Sequence, residues 1–217
     1  MAPGQVRSAA PVAAPARRGR PGYDLESLLA VAVTVFNERG YDGTSMEDLS
    51  RRLGISKSSI YYHVGSKEEL LALALDRALD GLFAVAGEAT AGGGRAIERL
   101  EHLVRGSVAV LADRLPYVTL LLRARGNTAT ERQALTRRRE FDQIVADLVA
   151  EAEKDGDIRP DVDPAVTARL LFGLVNSLVE WYRPGNRRIS ASALADAVCT
   201  VAFDGLRIRR TLRKESA

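Results

Sequence analysis

The chain has 217 residues, of which 46% are hydrophobic, and a formal net charge of only +3. This length allows one large domain, or a small domain joined to a larger one, with a sizeable core. One cysteine, Cys199, and two separate histidines exclude a disulfide framework and a zinc site, so no metal or other cofactor is expected. The sequence has neither a run of about 18 apolar residues nor a secretory signal, which predicts a cytoplasmic protein without a membrane segment.

Residues 1–22 are rich in Ala, Pro and Gly and lack an apolar period and acidic residues, which predicts a disordered basic arm. Arg17, Arg18 and Arg20 lie just before the first helical pattern. Flexible arms of helical DNA-binding proteins contact phosphates or enter the minor groove. We favour this role for the three arginines over that of a solubilising tail, because basic arms add affinity through counterion release.

Residues 23–66 contain three helical patterns separated by tight turns. The first begins at Tyr23 or Asp24 and runs to about Arg39, with its apolar residues on one stripe. Thr44 and Glu47 have the S/T-x-x-E spacing of a capping box, in which the hydroxyl accepts from a free amide and the carboxylate reaches back. This spacing predicts that Thr44 caps the second helix.

The third helix is short and polar. The second helix ends at Gly54, and Ser56 is placed to cap a helix from Lys57 to His63 in which Ile60 is the only strongly apolar residue. A helix this polar does not build a core, whereas the helix that follows, Lys67 to about Ala86, is apolar on nearly every side. The pattern predicts a helix-turn-helix whose second helix enters a major groove, linked by a buried helix to a larger domain.

The rest of the chain is helical and predicts an all-α fold, because no strand pattern of convincing length appears. Residues 67–210 form the second domain and residues 211–217 a tail. The last two helices each have more apolar surface than one partner covers, which favours pairing with a second subunit. The predicted helices of this region are Ile97 to Ala112, Tyr117 to Arg123, Thr128 to about Lys154, Pro164 to Tyr182 and Ser190 to about Arg210.

The helix-turn-helix region resembles the tetracycline-repressor (TetR) family of regulators. The likeness is dense from Val31 to Leu75, in the order T-S-x-x-D-L-S-x-x-L-G-I-S-K-S-S-I-Y-Y-H-V-x-S-K-E-E-L. It implies a ligand-responsive repressor that dimerises through its last two long helices and binds a palindromic double-stranded DNA operator. Val64 departs from the Phe of many members, which is expected to loosen packing under the recognition helix slightly.

Two groups of side chains are candidates for DNA contact. Base edges are expected to be read from the recognition helix, by Lys57, Ser58, Ser59 and Tyr62. The phosphate backbone is expected to be held by Thr44, Tyr61, His63 and Lys67. Structural alternatives stay open: Tyr61 half-buried against the preceding helix, His63 as a cap, and Lys57 and Lys67 as solvated surface charges.

The effector pocket of the family lies among the helices from about Leu70 to Ala152, where apolar residues dominate and predict a hydrophobic effector. Six arginines between positions 123 and 139 suit phosphates, and together with the stretch LFGLVNSLVEWYRPG they resemble the acyl-CoA-sensing branch of the family. The alternative is a drug- or metabolite-sensing member. The candidate ligand-binding residues are His102, Tyr117, Arg123, Asn127, Arg132, Phe141 and Asn176.

An enzyme is the rival class. It requires a nucleophile with a base, or paired carboxylates, and the sequence has neither at a readable spacing. Cys199, on an apolar helix, is interpreted as a small hydrophobic residue. A helical adaptor without DNA affinity leaves the polar Ser/Lys/Tyr face unexplained, so a non-enzymatic DNA-binding regulator is the favoured reading.

Overall fold

A computed structural model describes residues 24–185 and 189–206 of the chain. Within these ranges every regular element is an α-helix, which confirms the all-α prediction. The basic arm with Arg17, Arg18 and Arg20, and the tail 211–217, lie outside the described residues. The helices are α1 (Leu25–Arg39), α2 (Met46–Leu53), α3 (Lys57–Tyr61), α4 (Lys67–Ala91), α5 (Ala96–Asp113), α6 (Leu115–Arg123), α7 (Ala129–Lys154), α8 (Pro164–Trp181) and α9 (Ala191–Leu206).

The cap of α2 differs from the prediction by one residue. Ser45, and not Thr44, accepts from the amide of Asp48, whose carboxylate bonds back to the Ser45 amide. The Thr44 hydroxyl is instead buried and donates to the carbonyl oxygen of Gly40 at 2.8 Å. Both Thr44 and Ser45 have an acidic residue three positions later, and the second pair forms the box because the first hydroxyl is occupied.

Helices α1 to α3 form a small three-helix unit around a few fully buried side chains. Phe36 of α1, Leu49 of α2 and Ile60 of α3 are at most 2% exposed. Val64 is also buried in this core. The recognition helix is shorter than predicted, since α3 ends at Tyr61 and leaves His63 beyond it. Ile60 therefore fixes α3 to the core and leaves its other side chains to solvent.

Helix α4 joins this unit to the rest of the chain. It runs to Ala91, one turn beyond the predicted end, and packs against α1 on one side and against α5, α6 and α7 on the other. Helix α9 lies mainly on α5, and α8 lies mainly on α7. None of the helices in the described ranges is both long and apolar enough to span a bilayer.

Candidate nucleic-acid interface and ligand cavities

The outer surface around α3 is polar and aromatic. Ser56 caps the helix through its hydroxyl, which lies 2.8 Å from the hydroxyls of both Ser58 and Ser59. Tyr61 is half exposed, and Tyr62, at the end of the helix, is 87% exposed. Hydroxyl groups can donate and accept, and an exposed aromatic ring can pack on a thymine methyl group. These side chains form one contiguous surface suited to a major groove.

Lys57 is oriented by a neighbour on the preceding helix. Its Nζ lies 3.3 Å from Oε2 of Glu47, and both side chains are more than half exposed. An exposed pair of this kind contributes little to stability, about 0–1 kcal/mol. Lys57 therefore lies on the recognition surface, and its ammonium remains free to donate to a hydrogen-bond acceptor on DNA. The ion pair with Glu47 was not predicted from the sequence, because Glu47 lies ten positions before Lys57.

Lys67 and Thr44 both make contacts within the three-helix unit. The Lys67 ammonium donates to the carbonyl oxygens of Tyr41 at 2.9 Å and Thr44 at 2.8 Å, and lies 4.1 Å from the centre of the Tyr41 ring. An ammonium has three donors and the side chain is only partly buried, so the phosphate contact by Lys67 stays a prediction. The hydroxyl of Thr44 is buried and donates to Gly40, so this structure does not place it for a phosphate contact.

His63 lies at the edge of the same surface. Its ring is half buried and meets the Tyr62 ring edge to face, with centroids 5.3 Å apart. Tyr61 is 50% exposed, so the alternative of a half-buried Tyr61 stays open beside that of a backbone contact. The structure therefore brings together Lys57, Ser58, Ser59, Tyr62 and His63.

A small cavity lies between α4, α5, α6, α7 and α8. Its volume is about 30 Å³, and its lining is mostly apolar, with Ser107, Arg138, Asp142 and Asn176 as the polar or charged members. Phe141 and Asn176 line it, as two of the seven predicted ligand-binding residues. Ser107 of α5 also lines it, is 1% exposed, and has a buried hydroxyl without a hydrogen-bond partner among the described residues. The sequence reading missed Ser107, although it lies on the buried stripe of α5 with Leu103, Val104 and Leu111.

Charged groups are part of the lining of this small cavity. Arg138 and Asp142 of α7 line it together with Asn176 of α8. Burial raises the pKa of the Asp142 carboxyl, while the positive charges of Arg138 and then Arg169 oppose that rise. The cavity thus combines a mainly apolar lining with a few polar groups, the usual composition of a small-molecule site.

A second, larger cavity lies between the three-helix unit and the rest of the chain, and we call it the junction cleft. Its volume is about 640 Å³. Arg123 and Asn127, two further predicted ligand residues, line this cleft and not the small cavity. The predicted ligand residues therefore do not form one site.

The remaining three candidates line neither cavity. His102 is exposed because it lies off the buried stripe of α5. Its Nε2 lies 3.3 Å from Oε2 of Glu88. Tyr117 is half buried and its ring lies beside the Arg77 guanidinium. Arg132 donates to the carbonyl oxygens of residues 126 and 127, within its own turn. The structure therefore does not bring these three residues into either cavity, and their part in effector binding stays a prediction.

Helix α6 is tied to α1 by one asparagine. The Asn37 side-chain amide donates to the carbonyl oxygen of Pro116 at 2.8 Å, at the start of α6. The Asn37 backbone carbonyl accepts from the guanidinium of Arg123 at 2.9 Å, at the end of α6. Because Val118, Leu121 and Leu122 of α6 also line the small cavity, this helix separates that cavity from the three-helix unit.

Comparison with known proteins gives matches over most of the chain. Residues 28–74 match the family model of bacterial regulatory proteins of the tetR family, and residues 93–206 match a tetracyclin repressor-like C-terminal domain. The transcriptional repressor KstR2 of Rhodococcus jostii is 30% identical over 198 residues, which cover 87% of this chain and 93% of that protein.

Solved structures agree with these matches. SCO3833 of Streptomyces coelicolor A3, a member of the TetR transcriptional regulator family, is 58% identical with a TM-score of 0.78, over 85% of this chain and 92% of that one. AibR, solved in complex with isovaleryl coenzyme A and operator DNA, has a TM-score of 0.70 over 82% of this chain and 97% of that one. At 24% identity, AibR shows a shared fold only.

Proposed function

The chain belongs to the TetR family and is a DNA-binding transcriptional repressor, not an enzyme; from this premise, we propose that it is a homodimer released from a palindromic operator by a small hydrophobic effector. The proposed place of action is the cytoplasm. The proposed boundaries of its parts are residues 23–66 for DNA binding and residues 67–210 for effector binding and dimerisation, with the arm 1–22 before them.

The DNA part of the proposal is supported by the chemistry of the α3 surface. Lys57, Ser58, Ser59 and Tyr62 supply a cation, hydroxyls and an exposed ring on a helix that one buried residue, Ile60, fixes to its core. These side chains are our candidates for reading base edges. Tyr61 and His63 lie beside them and, with Lys67, are the candidates for backbone contact.

The homodimer is supported by an apolar face that nothing in the described protomer covers. Leu170 and Trp181 of α8 lie three helical turns apart on one side of the helix and are 67% and 56% exposed. Val201 of α9 is 68% exposed. Large apolar side chains exposed in a row mark interaction surfaces. Two copies of α8 and α9 would bury this face as a four-helix bundle.

The effector part rests on one observation, the unpaired hydroxyl of Ser107 inside an apolar cavity. A buried polar group without a partner costs free energy, and a ligand with a hydrogen-bonding group removes that cost. The cavity of about 30 Å³ holds one water at most, whereas small-molecule sites measure about 300–1,000 Å³. An effector must therefore widen this cavity, and its walls must move.

Helix α6 is the wall whose movement would reach the DNA-binding unit. It is only nine residues long, and Asn37 ties both of its ends to α1. An effector that displaces Leu121 and Leu122 would move α6 and, through Asn37, α1 and the helices packed on it. The effector must bind this displaced state more tightly than the DNA-competent state to release the operator.

For the effector we propose an acyl-CoA thioester. Arg138, which lines the small cavity, offers a cation for the phosphates of coenzyme A. Ser107, which also lines it, offers a hydroxyl donor for the thioester carbonyl. A neighbour of the same fold, AibR, was solved with isovaleryl coenzyme A bound, which supports the choice of this ligand class. The second candidate is a drug- or metabolite-sensing repressor of an efflux or biosynthetic operon, which the otherwise apolar lining favours.

Thermal shift and operator release, measured with acyl-CoAs, free acids and uncharged hydrophobic drugs, test the effector. We expect acyl-CoAs to raise the Tm and release DNA, and Ser107→Val to weaken both effects. An uncharged drug that does both, while saturating acyl-CoAs do neither, would reject the thioester and keep the repressor. If none of these compounds changes DNA binding, the proposed effector cavity is wrong.

A further inference from the structure

The junction cleft has the size of a small-molecule site but a different chemistry from the small cavity. Its volume of about 640 Å³ falls within the common range of about 300–1,000 Å³ for such sites. One wall is the end of α1 and the loop 40–43, and the other is the end of α6 with the loop that leads to α7. Leu71 and Leu75 of α4 lie at its base.

The two acidic side chains of the cleft are already occupied. Glu131 is buried, and its carboxylate accepts from the backbone amides of Asn127 at 2.7 Å and Thr128 at 3.2 Å. Asp42 accepts from the side-chain amide of Asn127 at 3.2 Å. These carboxylates stabilise the α6–α7 loop and its contact with the loop 40–43. They keep their charges, so the cleft has two carboxylates against three arginines.

The three arginines of the cleft are poorly neutralised. Arg39 has a long contact with Asp48, at 3.4 Å. Arg123 donates to a backbone carbonyl and has no carboxylate partner among the described residues. The Arg125 guanidinium has neither a hydrogen bond nor an ion pair with any part of the chain that the structure describes. With three arginines and two carboxylates the cleft has an excess of one positive charge, and its arginines lie beside apolar and aromatic surface.

We propose that the junction cleft is a second ligand site, which takes a small organic anion: a carboxylate or phosphate on a compact apolar body. Arg125 is the main anion partner, with Arg39 from the opposite wall, because guanidinium groups bind both anions with two parallel hydrogen bonds. The ring of Tyr41 and the side chain of Leu122 pack on the body of the ligand.

An anion in this cleft joins the two parts of the molecule. It would bridge Arg39 on α1 and Arg125 after α6, and would order the loop 40–44 that precedes α2. This step rests on the proposed function, in which the effector moves α6. The bound anion opposes that movement. The two ligands then weaken each other's binding by the same factor.

Calorimetric titration of the full-length protein with phenyl phosphate tests the site, with benzyl alcohol as the uncharged probe. We expect saturable millimolar binding of phenyl phosphate alone, weakened about tenfold or more by Arg125→Gln, the loss of one charge-assisted interaction. Lys154→Gln removes the same charge from an exposed end of α7, far from the cleft, and is expected to leave binding unchanged. Hydrogen exchange of residues 40–44 is expected to slow when the anion binds.

Three results would overturn this second site. The first is no saturable binding of phenyl phosphate, and the second is equal weakening by Arg125→Gln and Lys154→Gln. The third is that Arg125→Gln weakens an acyl-CoA as much as phenyl phosphate, because the cleft would then hold the anionic end of the effector. These readouts do not depend on operator release, so a failure of the proposed effector leaves the test intact.

Discussion

Helices α3 and α8 of the described chain both expose side chains to solvent, and the two exposed faces differ in chemistry. On α3 the exposed groups are hydroxyls, a lysine and an aromatic ring, and only Ile60 is fully buried. On α8 the exposed groups include the large apolar side chains of Val166, Leu170 and Trp181, opposite a second apolar side that packs on the protomer. A hydrated DNA groove matches the first face, and a second copy of the chain matches the other.

DNA binding by the α3 face is expected to depend on dimerisation through the α8 and α9 face. Helix α3 has five residues and reaches few base pairs, so one protomer has little surface with which to select a sequence. A two-fold dimer doubles the half-sites that are read. The apolar face of α8 and α9 is therefore expected to control DNA affinity from the far side of the molecule.

The largest effect is expected from Leu170→Glu, which places a charge on the exposed face of α8. An unpaired charge buried in an apolar interface costs several kcal/mol, about 3–5 by analogy with broken buried pairs, so assembly should be lost while the protomer stays folded. Analytical ultracentrifugation with circular dichroism measures both. Ala84→Glu, at an exposed position of α4, is the matched control. Wild-type protein that is monomeric at micromolar concentration would contradict the dimer.

A position inside the protomer would not test the same face. Val198 of α9 is 5% exposed and packs within the chain. Val198→Glu is therefore expected to unfold the protomer, so loss of assembly in that variant carries no information about the α8 face.

The next largest effect is expected from Lys67, whose contacts stabilise the loop before α2 and thereby the helix-turn-helix. Lys67→Met removes the ammonium that binds the carbonyls of Tyr41 and Thr44. Hydrogen bonds to a charged group contribute about 1.5–3 kcal/mol, so we expect the free energy of unfolding to fall by about 2–3 kcal/mol. Urea denaturation at fixed protein concentration measures this fall. An unchanged midpoint would contradict the supporting role of the two contacts, and a weaker salt dependence of DNA binding would show that Lys67 contacts phosphate.

Lys57→Ala is expected to change sequence preference with little change in stability. Loss of a base-edge contact should cost about 1–3 kcal/mol at one operator position and relax the preference there. Competition binding with operators substituted one base pair at a time measures it. Glu47→Gln is the companion variant: it removes the ion pair but keeps the lysine, so it should retain most of the preference. Equal preference in wild type and Lys57→Ala would exclude Lys57 as a reader.

The smallest effect is expected in the small cavity, from Ser107→Ala. Removing a buried hydroxyl without a partner should raise the free energy of unfolding by about 1 kcal/mol or less, and at the same time weaken effector binding. Differential scanning calorimetry with and without effector separates the two. A lower Tm in the variant would show that the hydroxyl has a partner in solution.

The sequence was sufficient where local chemistry decides the structure. Helix ends were predicted from caps and glycines, and the α2 cap was missed by one residue because Thr44 and Ser45 are adjacent and both precede an acid at the required spacing. The polar α3 pattern and the excess apolar residues of α8 were likewise readable, because each depends on one helical period.

Long-range contacts account for what the sequence did not predict. Lys67 reaches carbonyls 23 and 26 positions earlier in the chain, and no local pattern reveals this. The six arginines near α7 look like one phosphate site in sequence, yet Arg137 pairs with Asp76 and Asp80 while Arg123 and Arg138 line different cavities. The stripe of α5 did contain the information that Ser107 faces inward and His102 outward.

The most direct test of the central claim is a hydroxyl-radical footprint of the full-length protein on the DNA upstream of its own gene. A homodimer that reads the groove with α3 should protect two half-sites related by two-fold symmetry, with centres about one helical turn, roughly 34 Å, or a multiple of it apart. Leu170→Glu should lose this protection at the same concentration. A single unsymmetrical protected site, or an unchanged footprint with Leu170→Glu, would contradict the account.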